Sequence, residues 1–194
     1  MAGVANTVAG MPMKHRWALV VMGSWLAGTV CIALVAAENF YTIDRLLAGR
    51  TNLRFAAAVD RLGQPEARDL LRYLSSELNR LYFQLWNWTQ LGLVALAFFL
   101  AGGSGYERVR KGLAALLAIV VLMLLYLTPA IVSLGRSLDF VARDPAPSGM
   151  QRFWILHGTY TALEMIKLIV GGVVTFWLQQ TTQRTEAAPA AGLQ

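Results

Sequence analysis

The chain has 194 residues, of which 56% are hydrophobic and only 14% charged, with mean hydropathy +0.49. Average soluble domains carry about 25% charged residues, so this composition argues against an ordinary water-soluble fold and for one compact membrane domain. The net charge is +6, but the bases are dispersed without a run or motif of a nucleic-acid surface, and the single Cys31 excludes both an intrachain disulfide and a cysteine metal cluster.

Residues 1–16 read as a flexible tail in which His15 is terminal and solvated. Lys14, His15 and Arg16 precede an apolar run over 17–37. That run exceeds the roughly 7–15 residues of a signal-peptide core, so it reads as an uncleaved first span. Ser24 and Gly28 are four apart and offer a small face to another helix, while Cys31 reads as a small buried residue. Glu38 and Asn39 follow the span, and the helical pattern of Ile43 and Leu47 carries on to Gly49.

Residues 50–80 do not read as a plain loop. Asn52 is placed to cap a short helix over 53–62, Gly63 to end it, and Pro65 to open the next. From Glu66 the leucines keep a three-four spacing straight into a second span over 81–101. A helix of this length, about 52 Å at 1.5 Å per residue, exceeds a hydrocarbon core of about 30 Å, so its first half is expected outside the membrane. Arg80, Gln84, Asn87 and Gln90 or Leu91 form a polar stripe entering this span. Gly102-Gly103-Ser104-Gly105 makes a turn, and Arg108, Arg110 and Lys111 flank a third span over 113–134, in which Pro129 predicts a kink or local unwinding.

Arg136, Asp139 and two prolines then form a polar connection to the fourth span, 153–178. His157, Thr161, Glu164 and Leu168 fall on one helical stripe, with Tyr160 and Lys167 beside it. A lone charge in lipid costs roughly 2.5–3.5 kcal/mol even on insertion scales, so Glu164 and Lys167 are expected to pair. The stripe is expected to meet the one carrying Gln84, Asn87 and Gln90. Residues 179–194 read as a second flexible tail. Four spans put both termini on one side; the opposite side carries more Lys and Arg, ten against six, but the compact basic loop at Arg108, Arg110 and Lys111 favours cytoplasmic termini over the reverse orientation. Glu38, Arg80, Arg136 and Asp139 converge with the start of the fourth span at the opposite face.

The sequence thus predicts an all-α fold, a four-transmembrane-helix bundle over 17–178 with a helical extension before the second span. No catalytic motif is present. His157 is the only histidine within a span; a low-spin haem usually wants two axial ligands and zinc three or four, so no cofactor is predicted and a haem or metal role rests on His157 alone.

The stretches TPAIVSLGRSLDF and RFWILHGTYTALEMIKL, with Gly135-Arg136, Leu138-Asp139-Phe140, Phe153, His157-Gly158, Tyr160, Glu164 and Lys167, resemble a bacterial family of small four-span membrane proteins of unknown function. That family is similar to eukaryotic small transmembrane proteins of the domain-of-unknown-function type. The resemblance implies four helices, a bacterial inner (plasma) membrane location and no known catalytic activity. Copper-resistance membrane proteins and a haem-associated protoporphyrinogen oxidase are similar in layout only. The expected role is structural, assembly or ligand-binding and non-enzymatic, with the lipid bilayer, a homo-oligomer or other membrane proteins as partners and no nucleic acid. Ion or solute handling is the alternative, and a haem- or metal-associated redox role a further one.

Overall fold

The computed structural model describes residues 13–49 and 51–191, with side chains through 184. The chain is all-helical, 88% helix, with no strand among the described residues. Five helices are arranged in order: α1, Met13–Gly49; α2, Leu53–Leu62; α3, Gln64–Leu100; α4, Glu107–Ser137; and α5, Met150–Ala191. All but α2 are long enough and apolar enough to cross a membrane. Most of the tail predicted over 1–16 lies outside the described residues, as do 192–194. The described part of the second tail continues α5 as helix to Ala191. Its start is held by tertiary contact, because Thr182 is fully buried.

The punctuation residues act as their chemistry dictates. Asn52 Oδ1 accepts from the backbone N–H of Arg54 and Phe55, both at 3.0 Å, and so satisfies donors that the first turn of α2 leaves open. Gly63 adopts φ +88°, which disfavours any side chain, and Pro65 sits in the first turn of α3, where its missing N–H costs nothing. Ile43, Leu47, Val59 and Ala67 form a small core in which α2 covers the antiparallel ends of α1 and α3. These helical segments occupy the stretch in which a helical extension is expected.

Helix α4 is continuous but contains a π-helical turn, Met123–Leu127, in which the Thr128 N–H bonds the Met123 carbonyl five residues back. Thr128 and then Pro129 follow it. Its ring clashes with the carbonyl four residues earlier and it has no N–H to offer, so a widened turn replaces a sharp kink.

α1 packs along α3 and α5, and α4 packs along the same two helices on their other sides. Their shared core includes Met22 and Trp25, Val94 and Ala97, Leu113 and Leu116, and Val174 and Leu178. Glycines set the closeness of three contacts. A Cβ built on Gly28 would lie 2.3 Å from Trp86 Cη2, one on Gly171 2.3 Å from Trp25 Cζ3, and one on Gly112 2.4 Å from Val174 Cγ2. Gly28 thus gives the close approach expected of it, whereas Ser24 is exposed. Cys31 is exposed rather than buried, because it falls on the side of α1 away from α3 and α5.

Candidate functional site

Several polar residues of the long apolar helices join in one buried network. Asn87 and Gln90 are three apart on α3 and both fully buried. Asn87 Nδ2 donates to Thr128 Oγ1 at 2.7 Å, and Gln90 Nε2 donates to Asn87 Oδ1 at 2.7 Å. Tyr160 Oη donates to the same Asn87 oxygen at 3.4 Å. Lys167 Nζ donates to Gln90 Oε1 at 2.6 Å and to Glu164 Oε1 at 2.9 Å. Lys167 has no exposed surface, and the Glu164 side chain is 17% exposed. Glu164 Oε2 is buried without a hydrogen-bond partner among the described residues. The network therefore runs from α4 through α3 to α5 and ends on a carboxylate.

The π-turn helps to build this chain of bonds. A widened turn shifts the angular register of the helix beyond it, and the residue it delivers to the buried side is Thr128, 8% exposed. Sequence reading assigned Thr128 no role, because a threonine before a proline in an apolar helix has no periodicity to mark it.

Side-chain hydrogen bonds join α3 and α5, through some of the residues expected on the two stripes. Lys167 Nζ lies 2.9 Å from Glu164 Oε1, and Tyr160 and Lys167 reach Asn87 and Gln90. His157, Thr161 and Gln84 stand outside the network, and all three are exposed. Thr161 donates to the His157 carbonyl of its own helix, and the His157 ring stacks on Phe153 at 5.9 Å. The inward face of α5 is the row Tyr160, Glu164, Lys167, Gly171, Val174 and Leu178. That row lies roughly 60° around the helix from His157, at about 100° per residue.

The remaining candidates form a second cluster near the extension. Arg80 makes a bidentate pair with Asp139, at 2.8 and 2.9 Å, and also bonds Glu77. Arg136 reaches Glu77 at 3.3 Å. Hydrogen bonds from Arg136 and Arg80 hold the Glu77 carboxyl below the usual carboxylate range. Gly135 makes room for the Arg80 guanidinium, which would lie 3.3 Å from a Cβ built there. Glu38 is not part of this cluster; it pairs with Arg45 along α1. Asn39, beside it, takes the inward place and donates to Asn79 at 2.6 Å.

His15 is a correction. It is buried, stacks on Tyr106 with ring centroids 4.2 Å apart, and places Nδ1 3.2 Å from the Tyr106 hydroxyl. That hydroxyl is 3.0 Å from Thr182 Oγ1, so the beginning of α1, the turn before α4 and the far end of α5 are tied together. No group of three or more His, Cys, Asp and Glu side chains among the described residues is placed to hold a metal ion. No family model, curated protein or solved structure matches this chain.

Asn87 is the branch point, so substitutions should be unequal. In Asn87→Ala, Thr128, Gln90 and Tyr160 all lose a partner. The expected loss is about 1–2 kcal/mol, two to three membrane hydrogen bonds at about 0.6 each. Tyr160→Phe removes only the longest bond and should cost less than about 0.6 kcal/mol. Unfolding in detergent, monitored by tryptophan fluorescence, measures both.

Proposed function

We propose that this chain is a four-helix bundle integral to a membrane, with a helical platform standing outside the bilayer and a non-enzymatic structural or assembly role. The observation that carries the reading is an inverted distribution of side chains. Phe99 is 78% exposed, Leu125 69% and Ile169 64%, while Lys167 has no exposed surface. Large apolar groups outside and a paired charge inside suit a lipid solvent, in which polar groups must find partners within the protein.

The buried network then acts as a register device. Polar pairs of this kind fix one arrangement of helices that dispersion packing alone would leave nearly degenerate. Its donors are used on one another, which supports a structural role. The platform consists of the end of α1, α2 and the first half of α3. It rises about 25 Å if the second span begins near Leu81, at 1.5 Å per residue. The proposed family resemblance and inner-membrane location fit this reading, as do cytoplasmic termini, with lipid and other membrane proteins as partners.

One observation favours ion or proton handling as a second reading, the unpartnered Glu164 Oε2. Proton flux into proteoliposomes, abolished by Glu164→Gln, would promote it over the structural role.

Topology tests the main reading. Single cysteines at Gly103, Asp60 and Ala142 in a Cys31→Ser background should label with an impermeant maleimide from opposite sides. Gly103 should react from one side, and Asp60 and Ala142 from the other. Labelling of Gly103 and Asp60 from the same side would sink the four-span bundle.

A further inference from the structure

Several bases near the extension sit in ion pairs, although Arg54, Arg72, Arg143 and Arg152 there have no carboxylate partner among the described residues. Near the extension, Arg45 pairs with Glu38, Arg68 with Asp44, Arg80 with Glu77 and Asp139, and Arg136 with Glu77. At the opposite end, Arg108, Lys111 and Arg184 have no carboxylate partner among the described residues, and Glu107, the acid beside them, is 3.4 Å from the Gly105 N–H.

These three bases border one seam. The Arg108 guanidinium lies 3.8 Å from the centroid of the Trp177 ring, so α4 and α5 meet there. Lys111 is one turn from Arg108 on α4. Arg184 comes seven residues after Trp177, on the same side of α5 and about 10 Å farther along its axis. Stacking on an indole holds a guanidinium by one face and leaves its edge of N–H donors free. A planar fork presented this way matches two oxygens of one phosphate. Trp177 stands where an aromatic belt would meet the headgroups, so the fork is aimed at headgroup depth.

We infer that the α4–α5 seam at Arg108, Lys111 and Arg184 binds the phosphate of an acidic phospholipid headgroup. The inference rests on the membrane reading. Stacking fixes Arg108, the two flanking bases supply charge, and none of the three is paired with a carboxylate among the described residues, which leaves that charge for the lipid. Juxtamembrane bases of this kind favour anionic over zwitterionic headgroups by about fivefold each.

The full chain in nanodiscs of equal phosphatidylglycerol and phosphatidylcholine tests this. Native mass spectrometry counts the lipids retained. Wild type should retain phosphatidylglycerol in preference, and Arg108→Gln with Lys111→Gln and Arg184→Gln should bring the ratio to near parity. Arg184→Gln alone, beyond the core contacts, should lower the preference about fivefold and covers the case in which the triple variant does not fold. No preference in wild type, or a preference unchanged in the variants, overturns the site. So does an equal loss in a control with Arg45→Gln and Arg68→Gln. Inorganic phosphate retained in pure phosphatidylcholine discs, with the same dependence on the three bases, would assign the seam to a free anion and overturn the lipid. A chain that enters no disc at all overturns the membrane reading, and the site with it, which is a different failure from entry without preference.

Discussion

Glu164→Leu is expected to destabilise the protein by about 3–5 kcal/mol, the usual cost of stranding one member of a buried ion pair. Lys167 has no exposed surface and two acceptors, Gln90 Oε1 and Glu164 Oε1. Removing the carboxylate leaves an ammonium with one neutral partner and no route to water for its charge. Lys167→Met should cost less, because the Glu164 side chain keeps 17% exposure whereas Lys167 has none. The double variant Glu164→Leu, Lys167→Met should recover most of the loss, since a well-packed apolar pair replaces a desolvated ionic one. Only Gln90 Oε1 is then left without its donor, a residual cost of about 1 kcal/mol. Denaturant unfolding of the three variants in the same detergent measures the order. A double variant worse than either single one would mean that the pair does more than neutralise itself.

The second large effect is expected from a single methyl group. Gly171→Ala places its Cβ 2.3 Å from Trp25 Cζ3, in a core where Trp25 is fully buried and also bounded by Leu26. The indole cannot swing aside, so α1 and α5 must separate, and overpacking of this kind costs typically about 1–3 kcal/mol. The neighbouring Gly172 has open space around its Cβ direction. Gly172→Ala should be neutral or stabilising by up to about 1 kcal/mol, because alanine restricts the unfolded backbone and favours helix. Two adjacent substitutions of identical chemistry should therefore move the unfolding midpoint in opposite directions. Equal shifts would show that α1 does not rest on α5 at Trp25.

The long helices were legible because length and hydropathy suffice to find them. The extension was legible because Asn52, Gly63 and Pro65 have local roles that no tertiary contact overrides, and the described helices begin and end beside them. Facing was harder to read. A helix apolar on nearly every side carries no amphipathic signal, so a stripe has to be inferred from a few polar residues. On α5 that inference chose His157 and Thr161, whereas the helix turns Tyr160 and Lys167 inward. Thr161 needs no partner on another helix, since its hydroxyl returns to its own backbone. His15 was misjudged for a related reason. Its surroundings, Tyr106, Thr182 and the Gly102 carbonyl, come from distant parts of the chain, at the turn before α4 and the far end of α5. Thr128 entered the network through a π-turn that Pro129 foretold only as an irregularity.

The placement of Lys167 has a consequence for biogenesis. Chains emerge N-terminus first, at about 5–20 residues per second. On the proposed membrane reading, α1, α3 and α4 are therefore made and laterally released before the helix that carries the charges. Asn87, Gln90 and Thr128 wait in the first three helices as an unfilled receptacle. The last helix must leave the translocon with both Lys167 and Glu164 aboard, and only docking against that receptacle gives its lysine a full set of partners. Helix α5 is thus the natural checkpoint for quality control: a chain whose earlier helices have not met retains an exposed intramembrane lysine, the kind of mark by which an unassembled product can be told from a finished one.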